Sequence, residues 1–111
     1  MVVRTLRKGR DNFGLRVSAA NARRYFSPAS GPIELRLGDL QIQCDLPDSF
    51  WTGQPEINDP RLCEWLKFKV LKERRDENPV MLHMVQSGSN TFTLHPKSLL
   101  ERRAVRLNSA A

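Results

Sequence analysis

The stretch that decides the fold is IELRLGDLQIQCDL, which covers residues 33–46. On each side of the central Gly38-Asp39 pair, apolar residues alternate with charged or polar ones. Period-two alternation is typical of a strand with one buried face, and a two-residue Gly-Asp connection suits a tight hairpin turn. The register that this turn sets puts every apolar side chain on the same face. It pairs Leu37 with Leu40, Leu35 with Ile42 and Ile33 with Cys44.

Shorter patterns on both sides of this hairpin predict further strands and a helix. Alternation of apolar residues predicts three more strands, over residues 13–17, 80–84 and 91–94. Ser18 is of a residue type that caps helices, and it predicts a short helix over residues 19–26. The turn residues Ser87-Gly88-Ser89 join the last two strands into a second hairpin.

Residues 60–75 fit either a helix or a strand. Asp59 and Pro60 form a good helix start, because an acidic cap precedes proline at the first helical position. The apolar residues that follow the helical period are Leu62, Trp65, Leu66 and Val70. A strand is the alternative, since Leu66, Phe68 and Val70 also alternate with lysines. We favour the helix and leave the strand open.

The elements together predict one α+β domain. We expect a mainly antiparallel sheet, or a partly open barrel, of about five strands with two or three helices. Residues 1–11 are assigned to a mobile basic arm, residues 12–96 to the core domain and residues 97–111 to an amphipathic basic helix and tail. The order of elements over residues 12–95 resembles that of DNA-binding pseudobarrels of the plant B3 type. The similarity is one of arrangement only, so no functional position is carried over from it.

Composition excludes several classes of protein. The chain has 111 residues, 40% of them hydrophobic, and no apolar run approaches the roughly 20 residues that cross a membrane. This hydrophobic share also argues against general disorder. The two cysteines do not form a disulfide framework, and no apolar segment of a signal peptide follows the charged residues 1–10. We therefore expect a cytoplasmic protein with no membrane partner.

The charge distribution points to a polyanion. The chain has 18 Lys and Arg against 12 Asp and Glu, for a net charge of +6. The excess of base lies toward both ends, and residues 31–60 are acidic. Such asymmetry is typical of nucleic-acid partners, and arginine, which dominates the bases, binds phosphate with a bidentate fork. A GC-rich genome produces the same arginine content, so both explanations remain open.

Four basic or hydrogen-bonding clusters are the candidate contacts with nucleic acid. They are the arm (Arg4, Arg7, Lys8, Arg10), the first helix (Arg23, Arg24), the loop of residues 87–91 (Ser87, Ser89, Asn90) and the C-terminal cluster (Arg102, Arg103, Arg106). They predict a small, non-enzymatic nucleic-acid-binding module whose affinity falls steeply with salt. Most aromatic residues are claimed by the predicted core, which favours duplex DNA over RNA; Tyr25 is the one candidate stacking platform.

Two other functions remain as alternatives. A protein-interaction or accessory domain, including a homodimer, would use Trp51 or the acidic residues of the middle segment (Asp45, Asp48, Glu56, Asp59). A metal-dependent hydrolase or nuclease would use Asp45, Asp48 or His95. No motif at catalytic or metal-ligand spacing supports the second alternative, so we predict no catalytic residue, no metal site and no cofactor. Cys44, on the inward face of the hairpin, is predicted to be a buried structural thiol.

Overall fold

The computed structural model of this chain describes residues 1–27, 31–72 and 78–97. These residues form seven strands: β1 (Val2–Arg7), β2 (Phe13–Arg16), β3 (Ile33–Leu37), β4 (Leu40–Cys44), β5 (Glu56–Ile57), β6 (Met81–Gln86) and β7 (Thr91–Leu94). Three helices accompany them: α1 (Ala19–Tyr25), α2 (Asp48–Thr52) and α3 (Pro60–Trp65). The strands make one sheet in the order β4-β3-β7-β6-β1-β2-β5, which curls into a nearly closed, barrel-like α+β domain.

The hairpin over residues 33–46 is confirmed with its register. Cα partners are Leu37 with Leu40, Leu35 with Ile42, and Ile33 with Cys44. Gly38 has φ +67°, a conformation that most other residues avoid, so glycine suits this turn. Ile33, Leu35, Leu37, Ile42 and Cys44 are all buried, as the alternation requires, and only Leu40 beside the turn is exposed.

The other elements predicted from local patterns also form. The hydroxyl of Ser18 accepts a hydrogen bond of 3.1 Å from the Asn21 N–H at the start of α1. Asp59 caps α3 in the same way, accepting at 2.8 Å from the Arg61 N–H, and Pro60 is the first residue of the helix. The predicted strands over residues 13–17, 80–84 and 91–94 appear as β2, β6 and β7.

Residues 60–70 are helical, so the strand alternative is wrong for them. After α3 the chain continues into a π-helical turn, Leu66–Val70. A strand would place Phe68 on the same face as Leu66 and Val70. In the π turn Leu66 is fully buried while Phe68 is 60% exposed. The rest of this predicted helix, residues 73–75, lies outside the described residues.

Two expectations about the sheet need correction. The predicted arm over residues 1–11 is wrong for Val2–Arg7, which form β1 in the interior of the sheet. The hydrophobic pattern of the sequence does not indicate this strand, because only Val3 and Thr5 are buried in it and basic residues stand among them. The second added strand, β5, has two residues, too few to show periodicity. These additions raise the count from about five strands to seven.

The predicted helix in residues 97–111 falls almost wholly outside the described residues.

The sheet is mixed rather than purely antiparallel. β3 pairs parallel with β7, with Leu35 opposite Phe92, while the other strand pairs are antiparallel. This pairing joins strands that lie far apart in the sequence, so local patterns do not predict it. The buried faces of the strands enclose the core, where Phe26 packs against both Phe50 and Phe92, with ring centroids 5.1 Å and 4.7 Å apart.

Arg61 bridges the gap between the two end strands of the sheet. β4 and β5 are last in the strand order, and no ladder joins them in the described part of the chain. The Arg61 guanidinium donates to the backbone oxygen of Gln43 in β4 at 3.1 Å. It also donates to both carboxylate oxygens of Asp59, just after β5, at 3.1 and 2.9 Å. This bidentate pair therefore holds the start of α3 against β4.

Thr5 attaches β1 to the residue that precedes β6. Its backbone N–H donates to the Val80 oxygen at 2.9 Å, and its hydroxyl accepts from the buried Val80 N–H at 2.9 Å. Thr5 itself is 5% exposed. Because a buried N–H without a partner is costly, the hydroxyl matters more here than the methyl group.

We expect Thr5→Val, which preserves the shape of the side chain, to lower the free energy of unfolding by about 1–3 kcal/mol, since it leaves the Val80 N–H unpaired. Thr5→Ser keeps the hydroxyl and is expected to cost less. Urea unfolding followed by tryptophan fluorescence measures both values. A Thr5→Val protein as stable as the wild type would show that this hydrogen bond contributes nothing.

The Asp59–Arg61 pair makes a pH-dependent contribution to stability. The hydrogen bond from the Arg61 guanidinium lowers the pKa of the Asp59 carboxyl below its ordinary value of 3.8. A lowered pKa stabilises the fold above the unfolded pKa, and this contribution is lost as pH falls through the folded pKa. We therefore expect the stability difference between wild type and Asp59→Asn to shrink below about pH 4. The backbone N–H groups that donate to Asp59 remain in Arg61→Gln, so this variant should weaken the pH dependence without abolishing it. An undiminished pH dependence in Arg61→Gln, measured by urea unfolding across this pH range, would contradict the assignment.

Candidate anion-binding groove

The outer face of the sheet carries two arginines side by side. In β1, Val3 and Thr5 point into the core, so Arg4 lies on the opposite face. The register places Arg4 directly opposite Arg16 of β2, and both residues are half-buried. Directly opposed residues on one sheet face have Cβ atoms about 5 Å apart, which lets two guanidinium groups approach one ligand.

These arginines line a groove of about 380 Å³ on the outer face. We call it the Arg4–Arg16 groove; its lining includes Val2, Arg4, Arg16, Ser18, Pro55 and Met81. The start of α1 contributes to it, and the side-chain amide of Asn21 in α1 donates to the Val2 oxygen at 3.0 Å. Residues 53–55 contribute as well, held by a 2.8 Å hydrogen bond from the Val17 N–H to the Pro55 oxygen. Hydrogen bonds thus join the backbone segments that line the groove.

The positive charge in the groove is not neutralised from within the described chain. Among residues 1–27, 31–72 and 78–97, no side chain forms an ion pair or hydrogen bond with the guanidinium of Arg4 or Arg16. Glu56 is the cross-strand neighbour of Arg16, but its carboxylate lies 3.1 Å from the Lys8 ammonium. Like charges placed directly opposite each other destabilise a sheet, and a bound anion relieves that repulsion.

The groove also has an apolar part. Met81 of β6 is the other cross-strand neighbour of Arg4, and Val2 is the neighbour of His83 in the same pair of strands. Met81 is 45% exposed and Val2 is 41% exposed. The groove therefore offers two arginines beside two exposed apolar side chains, a combination that suits an anion with an attached apolar group.

The other basic residues of the predicted arm mostly serve the β1–β2 connection. The Arg7 guanidinium donates to the backbone oxygens of Gly9 at 3.1 Å and Arg10 at 3.4 Å, which shapes the loop. Lys8 pairs with Glu56. Arg10 is exposed in the loop. Of the four predicted arm contacts, only Arg4 lies in the groove.

Arg23 and Arg24 are exposed on α1, as expected. The Arg24 guanidinium carbon lies 5.5 Å from the centre of the Tyr25 ring, a cation–π distance. Tyr25, the candidate stacking platform, is therefore already in contact with a cation. These residues remain available on a helix whose first residue, Ala19, lines the groove.

The predicted loop contacts lie far from the arm. The β6–β7 turn is closed by its own hydrogen bonds, with the Ser87 N–H donating to the Thr91 oxygen at 2.8 Å and Gln86 donating to the Ser89 oxygen at 3.2 Å. The Asn90 oxygen accepts from β3 at 2.7 Å. Because β1 and β6 are antiparallel, Arg7 and Ser87 lie about 30 Å apart along the strands at about 3.3 Å per residue. Arg102, Arg103 and Arg106 lie outside the described residues.

Arg16 is the site residue that sequence reasoning missed. It lies between Leu15 and Val17, two core residues, and belongs to none of the four clusters predicted from the sequence. The alternation of residues 2–7, once recognised as a strand, places Arg4 on an outer face. The five-residue connection over residues 8–12 then places Arg16 directly opposite Arg4 on that face.

Two of the four acidic residues that the alternative functions would use form ion pairs within the fold, and the other two are exposed. Glu56 and Asp59 form ion pairs with Lys8 and Arg61, while Asp45 and Asp48 are exposed.

Trp51 is half-buried against Phe50, with ring centroids 4.9 Å apart. His95 lies beside His83 with ring centroids 5.9 Å apart. Within the described ranges, no three His, Cys, Asp or Glu residues lie close enough to hold a metal ion.

The two cysteines differ in their surroundings. Burial raises the pKa of the Cys44 thiol to about 11, with the nearby negative charge of Asp59 adding to the effect. Cys63 is half-buried; its sulfur accepts from the Phe13 N–H at 3.3 Å and donates to the Asp11 oxygen at 3.5 Å. Cys44 is therefore the buried structural thiol that the hairpin pattern predicted.

We expect Cys44 to resist alkylation in the folded protein. A pKa of about 11 instead of 9.0 lowers the thiolate fraction near pH 8 roughly a hundredfold. The Cys63→Ser variant leaves Cys44 as the single thiol, and iodoacetamide labelling followed by mass spectrometry measures its rate with and without urea. Equal rates in both conditions would contradict the placement of Cys44.

Comparisons with known proteins give no family for this chain. No family model, curated protein or solved structure matches it. No helix in the described ranges has the length and apolar character needed to cross a membrane. Function is therefore inferred from the groove itself.

Proposed function

We propose that this protein is a non-enzymatic nucleic-acid-binding domain that holds phosphate in the Arg4–Arg16 groove. The observation that carries the proposal is the pair of half-buried, directly opposed arginines without an acidic partner in the described chain. Arginine binds phosphate oxygens through a planar fork of donors, and two forks converging on one phosphate compensate the repulsion between the guanidinium groups.

The remaining charge favours a polymer of phosphates over a single small anion. The chain has a net charge of +6, and the described residues include exposed arginines outside the groove, such as Arg10, Arg23 and Arg24. A surface with this excess attracts a polyanion over a longer range than one site does. In this proposal Arg4 and Arg16 contact the backbone directly, and the exposed arginines add weaker contacts. Arg7 donates to backbone oxygens of the β1–β2 connection, and Lys8 pairs with Glu56 of β5.

A protein-binding surface is the second candidate. Val2, Met81 and Val85 are exposed on the same outer face, at 41%, 45% and 38%. Apolar side chains exposed together are typical of protein interfaces. A second copy of this chain, covering that face, is the simplest partner of this kind. This candidate leaves the opposed arginines without a role, so we rank it second.

The test is fluorescence anisotropy with labelled nucleic acids between about 50 and 300 mM salt. Arg16→Gln is compared with Arg36→Gln, a matched loss of charge from the exposed outer face of β3, away from the groove. We expect Arg16→Gln to weaken binding about tenfold, as for loss of a charged hydrogen bond. The slope of log affinity against log salt should fall by about 0.7–0.9. Arg36→Gln should change affinity much less.

Two results would reject the proposal. One is the absence of binding to any nucleic acid at low salt. The other is equal binding by wild type and the double variant with Arg4→Gln and Arg16→Gln. Sedimentation of the same samples would then decide whether a discrete dimer supports the protein-binding candidate.

A further inference from the structure

We infer that the Arg4–Arg16 groove takes a single-stranded segment, with phosphate on the two arginines and an unpaired base against Val2 and Met81. The inference rests on the proposed function and specifies its ligand. Four features of the groove carry it: size, position in the sheet, apolar lining and unneutralised charge.

The size of the groove fits one nucleotide. A volume of about 380 Å³ lies at the lower end of the range typical of small-ligand sites. The start of α1 and residues 53–55 contribute to its sides, so the arginines lie within a recess rather than on an open ridge. A duplex presents a rigid, convex backbone with its bases paired inside. A single strand is flexible enough to lower one nucleotide into such a recess.

The order of side chains across the sheet matches the order of groups in a nucleotide. One cross-strand row runs from Met81 on β6 through Arg4 on β1 to Arg16 on β2. The apolar end of this row lies beside the charged end, as the base and the phosphate of one nucleotide lie on two sides of its sugar. Duplex binding uses the arginines and leaves Val2 and Met81 exposed, whereas an unpaired base covers both.

The groove provides contacts for a base without an aromatic ring. The preference for duplex DNA rests on the burial of most aromatic residues, and Phe26 does pack against Phe50 and Phe92 in the core. A methionine thioether also packs favourably against aromatic rings. Met81, the cross-strand neighbour of Arg4, supplies the thioether contact, and the aliphatic part of the Arg4 side chain lies beside it while the guanidinium holds the phosphate.

The first measurement compares a labelled single strand with a blunt duplex that has the same number of phosphates. We expect the single strand to bind at least about tenfold more tightly at equal salt, as expected when each base contact adds to the phosphate contacts. Equal or tighter binding of the duplex, still dependent on Arg16, would overturn this inference and leave the proposed function standing. Failure of both nucleic acids to bind would remove the proposed function itself.

The second measurement assigns the base contact with a matched pair of variants. Val2→Thr and Val85→Thr make the same substitution at exposed positions of similar exposure, but only Val2 lines the groove. We expect Val2→Thr and Met81→Gln to weaken single-strand binding about three- to tenfold without changing the salt slope, since neither removes a phosphate contact. Val85→Thr should bind like the wild type.

An abasic strand of the same length completes the design. If the base lies on Val2 and Met81, the effects of Val2→Thr and Met81→Gln should disappear with the abasic strand, whereas Arg16→Gln should still weaken binding. Phe68→Ala removes the most exposed large apolar side chain of the described residues, on the π turn. Loss of single-strand binding in Phe68→Ala, with no effect of Val2→Thr or Met81→Gln, would move the base contact to Phe68 and overturn the inference. Thermal unfolding verifies that each variant is folded.

Discussion

The pairing of β1 along both of its edges is the constraint on which the rest of the structure depends. β1 joins β2 on one side and β6 on the other, so it connects the N-terminal strands to the remainder of the sheet. The Thr5 hydroxyl extends that connection by accepting from the Val80 N–H. Burial of Val3 and Thr5 fixes which face of β1 points inward. As a consequence, Arg4 must lie on the outer face beside Arg16.

Most of the fold follows from local patterns in the sequence, and the exceptions have physical causes. The 33–46 hairpin, the capped helices α1 and α3 and the β6–β7 hairpin each have a periodic pattern or a cap, and all of them form. The sequence pattern does not indicate β1, because basic side chains lie on the solvent face of this strand while Val3 and Thr5 alone are buried on the other face. The parallel β3–β7 pair depends on contacts between distant segments, which local patterns do not encode.

The candidate site was predictable only in part, for a related reason. Net charge and its distribution identified a basic protein, and Arg4 was among the predicted contacts. Charge alone does not distinguish Lys8, which pairs with Glu56, from Arg16, which has no such partner in the described chain. That distinction depends on which strand lies beside which. Sheet order is set by the whole chain, so the Arg4–Arg16 groove appears only once the strands are assembled.

The bridge made by Arg61 has a consequence for the behaviour of the molecule in a concentrated solution. Within the described residues no strand pairs with the outer edge of β4, and an unpaired strand edge can pair with a strand of another molecule, which is a route to aggregation. Arg61 occupies one of these groups, the Gln43 oxygen, and places a cation at that edge. A strand that pairs with this edge must displace the Arg61 side chain and lie beside its positive charge. The ion pair that fastens α3 to β4 therefore also helps to keep copies of the protein separate.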